Sequence, residues 1–142
     1  MRKRSQAREF ALQILYEVDL SKESVPHALG DFWDHKASRS EFENEIEVRT
    51  YTEKLVNGVI KNQEAIDEAI KRYAENWTLE RMACVDRNIL RLGVYELLFE
   101  AEVPMKVSIN EAVELAKRFG DAESSKFVNG VLDKIGKTAC KA

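Results

Sequence analysis

The chain has 142 residues, two cysteines and a formal net charge of −3, and 44% of its residues are apolar. A chain near this length is one domain's worth and hides roughly 68–70% of its unfolded surface, so it needs no covalent staples. Two cysteines, Cys84 and Cys140, make neither a disulfide framework nor a metal site. No apolar run approaches the roughly 18 residues of a membrane span, and the basic start lacks the apolar stretch of a signal peptide. A cytoplasmic protein is expected.

The charge is unevenly spread. Residues 1–8 carry +4, residues 9–116 carry −10 and residues 117–142 carry +3. Basic ends on an acidic body hint at an anionic partner if both ends fold to one face.

In chain order, residues 1–4 form a basic arm. Ala7, Ala11, Ile14, Leu15 and Val18 then recur at helical spacing, widened by Phe10. Arg4 and Arg8 are four apart and share a face, with Tyr16 near its edge. Ser24-Val25-Pro26 reads as a helix start, followed by a contact face of Leu29, Phe32 and Trp33. Residues 36–44 are polar and read as a loop. Val48, Tyr51, Thr52, Leu55, Val56 and Val59 mark the next helix. Asn62 is a candidate cap for another that points Ile66, Ala69, Ile70 and Tyr73 inward. Trp77 reads as a core plug or hinge ending this half.

Thr78 is a candidate N-cap for a short turn, Leu79 to Ala83, feeding a helix over 85–99. That helix is apolar most of the way round, as a buried central helix is. Gly93 in its middle costs about 1 kcal/mol against Ala, which suggests a second backbone passing close. Val103-Pro104 ends it. Ser108-Ile109-Asn110-Glu111 has the pattern of a capping box, with Val107 and Ala112 as its hydrophobic staple. Ile109, Ala112, Val113, Ala116 and Phe119 then face inward, and Gly120 stops the helix. Ser124 or Ser125 caps a last helix carrying Phe127, Val128, Val131, Leu132 and Ile135. Residues 137–142 read as a fraying tail. Two Asn-Gly pairs, at 57–58 and 129–130, would signal hairpins, but helical periodicity on both flanks overrides them. The expected fold is all-α: about seven helices in two packed bundles, about 5–75 and 76–137, around a buried central helix, as a single domain over 1–142.

The residues offer little catalytic chemistry. His27 and His35 are eight apart with no third ligand in pattern, so no metal is expected. There is no Gly-rich phosphate loop and no nucleophile elbow, and neither cysteine has an obvious base. No enzyme and no cofactor are expected. What the chain does offer is cations and planar side chains, the pair of features that bind single-stranded RNA: Arg2, Lys3, Arg4 and Arg8 at the front, Lys126 and Phe127 at the back, and Tyr16. Phe127 lies at the start of a helix, where backbone N–H groups favour phosphate; core packing is its other reading. Asn129 either reads a base edge or bonds locally.

Several stretches together resemble the NusB family of bacterial transcription antitermination factors. They are Asn76-Trp77-Thr78-Leu79-Glu80-Arg81, the run from Val85 to Leu98, Val103-Pro104 with the run from Ile109 to Lys117, Phe119-Gly120, and the run from Lys126 to Asp133. Ala7-Arg8-Glu9 and the run from Ala11 to Tyr16 also fit. The resemblance covers nearly the whole chain and is weakest over 20–60. It implies an all-helical fold of two bundles. It implies binding to single-stranded boxA RNA of ribosomal RNA operons, together with NusE, a small-subunit ribosomal protein of a usually basic kind. It further implies entry into the RNA polymerase elongation complex with NusA and NusG, where premature termination is suppressed. On this resemblance the RNA contacts fall on Arg2, Lys3, Arg4, Arg8, Tyr16, Lys126, Phe127 and Asn129, and the NusE contacts on Glu80 and Asp86. Ser5, Gln6 and Ala7 interrupt the arginine run that some members carry. Each phosphate contact so lost lowers the salt slope by about 0.7. Two other readings are a protein-interaction scaffold that does not touch RNA, and a detached NusB-like module of an RNA methyltransferase. A homodimer is expected only as an off state.

Overall fold

The computed structural model describes residues 2–37, 46–75 and 77–138. Among them are seven α-helices and no strand: α1 (Lys3–Ser21), α2 (Val25–Ala37), α3 (Ile46–Lys61), α4 (Gln63–Tyr73), α5 (Cys84–Phe99), α6 (Met105–Phe119) and α7 (Ser124–Thr138), with one 3₁₀ turn, Leu79–Arg81, before α5. Much of the expected loop over 36–44, together with Asn76 and the tail bearing Cys140, lies outside the described residues.

The helices divide into two compact units, residues 1–57 and 58–142. The division falls inside α3 and not near residue 75, because α4 packs on α5 and α7. Both Asn-Gly pairs sit inside helices, Asn57-Gly58 in α3 and Asn129-Gly130 in α7, so periodicity does outrank the turn signal here.

In the first unit α1 buries Ala7, Phe10, Ala11, Leu12, Ile14 and Leu15. Phe10, Phe32 and Trp33 form an edge-to-face trio with centroids 4.9–6.0 Å apart, a geometry that pays the rings' quadrupoles as well as their area. The Trp33 indole N–H donates to Glu53 Oε2 at 2.8 Å. Thr52, fully buried, returns its hydroxyl to the Val48 carbonyl at 2.7 Å, which spares the core an unpaired donor. Ser24 caps α2 by accepting from the His27 N–H at 3.3 Å.

The second unit is built on α5, against which α4, α6 and α7 pack. Every residue of α5 from Asn88 to Leu97 is buried. The tolerance for Arg91 in that run comes from Asp67 on α4. Arg91 Nε and Nη2 reach the two oxygens of Asp67 at 2.9 and 3.1 Å, and Nη1 reaches Asn88 Oδ1 at 3.3 Å. The buried Tyr95 hydroxyl donates to Glu100 Oε2 at 2.7 Å. Burial, first, and then that carboxylate hold the phenol well above its usual range.

Three expectations need correcting. Gly93 faces a side chain and not a backbone: a Cβ there would lie 2.7 Å from Leu132 Cδ1 of α7. The capping box at Ser108 does not form, because Pro104 starts α6 one turn earlier and takes the N–H groups of Val107 and Ser108 on its own carbonyl. Ser108 is therefore interior to the helix and 1% exposed, and its hydroxyl has no partner; Val107 is exposed. Phe119, at the last residue of α6, is also exposed, with the Arg118 guanidinium 5.0 Å over its ring.

Candidate nucleic-acid and partner interface

The basic arm of the first unit is continuous with α1. Arg2 occupies its N-cap position in extended conformation. Lys3 opens the helix and places its ammonium 3.2 Å from Glu47 Oε1. One turn apart, Arg4 and Arg8 converge on a single ring: their guanidinium carbons lie 4.4 and 5.8 Å from the centroid of Tyr51, within cation–π range. Arg4 is exposed and Arg8 is buried, so the two cations are not equivalent. Arg4 presents its charge to solvent, and Arg8 is part of the packing beneath it. Tyr16, half-buried, stands eight residues beyond Arg8, about 12 Å further along the helix axis at the usual rise.

In the second unit Lys126, Phe127 and Asn129 lie on the first turns of α7, Lys126 and Asn129 exposed and Phe127 half-buried. Phe127 meets Trp77 edge-on, with centroids 6.2 Å apart and planes at 62°. Trp77 is not the expected core plug: it is 51% exposed. Both rings line an open cleft of about 570 Å³, walled also by Arg81, Met82, Ala83, Asp86, Asp121 and Ser124. Arg87 Nη1 ties the 3₁₀ turn to α5 by donating to the Leu79 carbonyl at 2.8 Å. This fixes the turn that carries Glu80, which is exposed.

The start of α7 is capped by neither of the serines singled out in the sequence. Asp121 Oδ1 accepts from the N–H groups of Glu123 and Ser124 at 2.9 and 3.1 Å, and Ser124 Oγ accepts from the Asp121 N–H at 3.0 Å. This is a reciprocal capping box in which Asp121 is the cap and Ser124 its partner. The signal was legible as an Asp three residues before a Ser, directly after the helix-ending Gly120. It has a chemical consequence. Two of the N–H groups that would have favoured a phosphate at this helix end already hold a carboxylate.

Asp86 stands in the first turn of α5 on the wall of the same cleft. Its Oδ1 is shut off from solvent and has no hydrogen-bond partner. Burial pushes its carboxyl above the ordinary range; a hydrogen bond from Ser124 pulls it back, and the negative charge of Asp121 adds to the rise. Around this cleft three carboxylates, Asp86, Asp121 and Glu123, face two cations, Arg81 and Lys126.

The carboxylates of Glu23 and Asp31 flank His27, in a cluster that does not include His35. Each lies 3.5 Å from His27 Nε2, and the three donors fall within 4.8 Å of one another. His27 and Asp31 are exposed, and the four-residue spacing from Glu23, just before α2, through His27 to Asp31 accounts for the closeness. Cys84 is a half-buried thiol, in no disulfide, at the first residue of α5, 3.5 Å from Asn88 Nδ2. Among the described residues no helix is long and apolar enough to cross a membrane.

Comparison with known proteins places these features in a context. The model of the NusB family matches residues 5–137. The chain is similar to the transcription antitermination protein NusB of Anaeromyxobacter dehalogenans, with 51% identity over 94% of this chain and 89% of that one. It is also similar to that of Bacillus licheniformis, with 50% identity over 94% and 95%. Among solved structures, T. maritima NusB superposes with a TM-score of 0.85 at 36% identity, covering 97% of this chain and 92% of that one. A complex of the antitermination factors NusB and NusE with double-stranded RNA matches with a TM-score of 0.83 at 34% identity, covering 96% and 98%.

Proposed function

Because the chain belongs to the NusB family, we propose that it is a cytoplasmic, non-enzymatic antitermination factor. In this reading it binds boxA RNA together with NusE and enters the RNA polymerase elongation complex with NusA and NusG, where it opposes premature termination. The observation that carries the reading is Phe127. An aromatic ring that could have been sealed in the core stands half-open on the first turn of α7 beside the exposed Lys126, and exposed aromatics next to cations are what unpaired bases stack on.

The roles divide by chemistry. Arg2, Lys3 and Arg4 give the backbone of the RNA its counter-charge, while Arg8, buried under the same Tyr51 ring, holds Arg4's seat in place. Lys126, Phe127 and Asn129 take a second stretch of the strand, and Tyr16 a further base. Glu80 and Asp86 face NusE. With few exposed cations, RNA affinity without NusE is weak and only modestly salt-dependent. A homodimer formed through these faces is an off state.

The test is fluorescence anisotropy of labelled boxA RNA titrated with the protein, with and without NusE, against a scrambled RNA. Selective binding that tightens with NusE is expected. Replacing Phe127 with Ala should weaken it about fivefold or more, at the roughly 1–3 kcal/mol typical of a stacked base. Capture of NusE with no RNA binding under either condition would leave the scaffold reading in its place.

A further inference from the structure

The cleft beside α5 combines three things. Its aromatic side is Trp77 and Phe127, meeting edge to face and leaving half of the indole in solvent. Its polar side holds Asp86, a carboxylate with one oxygen that neither solvent nor any hydrogen-bond donor reaches. Its rim carries more acid than base, and the nearby helix N-terminus is already closed by Asp121. A carboxylate left short of compensating charge is costly, and so is a Trp left half-exposed. Both costs fall together if one group fills the cleft, and that group must be cationic, flat or aliphatic, and able to lie against an indole.

A phosphate fits badly, since it would meet Asp86, Asp121 and Glu123 at a helix end where Asp121 already holds two of the N–H groups. A guanidinium fits. It is positively charged, its face stacks on indole, and its edge donates to carboxylates. We propose that this cleft seats an arginine side chain of the protein partner, with Trp77 as the platform under the guanidinium and Asp86 as its counter-charge. The proposal rests on the NusE half of the reading above and adds to it a residue, Trp77, and the chemistry it recognises. Trp77 thus serves protein recognition, while Phe127, with its edge to Trp77, marks the border with the RNA-facing side.

The experiment compares Trp77→Phe, Trp77→Leu and Trp77→Ala in two titrations, one with purified NusE and one with boxA RNA alone. Trp77 is half-exposed, so all three variants should fold; circular dichroism and a melting curve check this. Leu keeps apolar area but has no ring, which separates stacking on a cation from greasy contact. The expected result is that Ala and Leu each weaken NusE binding fivefold or more, Phe falls between them and the parent, and RNA binding alone stays within twofold. In a Trp33→Phe background, where Trp77 is the sole indole, NusE should also perturb the fluorescence. Leu binding NusE as well as the parent overturns the platform. Loss of RNA affinity with NusE binding intact overturns the proposal in favour of a base-stacking site. Variants that all bind NusE like the parent overturn it while leaving the antitermination reading standing. A parent protein that binds no NusE at all overturns both.

Discussion

Two stretches of the same helix handle charge in opposite ways. In the middle of α5, Arg91 is buried, yet three of its nitrogens have partners, with both oxygens of Asp67 engaged. One turn on, the Tyr95 hydroxyl is closed onto Glu100. At the start of α5, Asp86 keeps a buried oxygen with no partner and sits on the wall of an open cleft. Buried charge is tolerated when it is paired, and pairing in the middle of α5 is complete within the chain. The same helix leaves the account open at its start. Polar groups that a fold closes upon itself hold it together; one left short on the wall of an open cleft, unlike the enclosed Ser108 hydroxyl, leaves room for a partner to supply what the chain does not.

The comparison breaks most visibly if the closed region is opened. Arg91→Ala strands Asp67 on α4 and takes a partner from Asn88. Breaking a buried pair costs about 3–5 kcal/mol; with Asp67 partly reached by water, about 2–3 kcal/mol is expected here. For a chain of this length that lowers Tm by roughly 5–10 °C. Urea or thermal unfolding measures it. A loss below about 1 kcal/mol would mean that the pair is no firmer than a surface bridge.

A smaller loss comes from packing rather than charge. Gly58 on α3 lies where a Cβ would be driven into the Tyr95 ring. That ring cannot swing away cheaply, because its hydroxyl is held at 2.7 Å by Glu100 and its face stacks on Phe99 at 5.7 Å. Gly58→Ala should therefore cost about 1–3 kcal/mol, the range for overpacking, despite Ala's better helix propensity. Gly130, the other glycine of an Asn-Gly pair, has nothing within 4 Å of a built Cβ, and there Ala should stabilise. Opposite signs in the two melting curves are the expected outcome.

These residues also show what the sequence could and could not convey. The helices were legible because apolar spacing reports burial, and burial is collective: Ile66 and Ile70, or Val128, Val131, Leu132 and Ile135, each repeat the message. Places where one residue decides were harder. Ser108 fitted a capping pattern, but Pro104 acts one turn earlier through a backbone carbonyl, and the pattern alone does not say which start wins. Trp77 read as core because large apolar residues usually are; its exposure follows from the 3₁₀ turn that carries the chain past it. Gly93 signalled a close approach, though of a side chain and not of the backbone expected, and Gly58 read only as half of an Asn-Gly pair; what approaches each, Leu132 or Tyr95, depends on tertiary packing. At the candidate interface, Asp86 came from family resemblance, while Phe127 was already a candidate beside Lys126 and the resemblance favoured it over core packing. The unpartnered oxygen, the cap by Asp121 and the acid-rich rim came from coordinates. Arg8 was read together with Arg4, since spacing places them on one face but does not say which of the two lies beneath.

The mildest change sharpens the comparison most, because its two effects should have opposite signs. Burial and Asp121 raise the Asp86 carboxyl above its ordinary value, so folding favours its protonated form. The stability this group contributes is full below the unfolded-state value, about 3.9, and is lost as pH rises through the raised folded value. At neutral pH the folded chain therefore carries an ionised carboxylate it would rather protonate. Asp86→Asn removes that burden while keeping the shape. Melting at pH 7 should rise slightly, by about 1–2 °C, and the gap between variant and parent should close as pH falls below the carboxylate range. Capture of NusE should weaken in the same variant, because the counter-charge for the partner's cation is gone. Stabilisation without loss of capture would make Asp86 a mere imperfection of the fold. Destabilisation at neutral pH would mean that the carboxylate is compensated after all, and that the start of α5 is as closed as its middle.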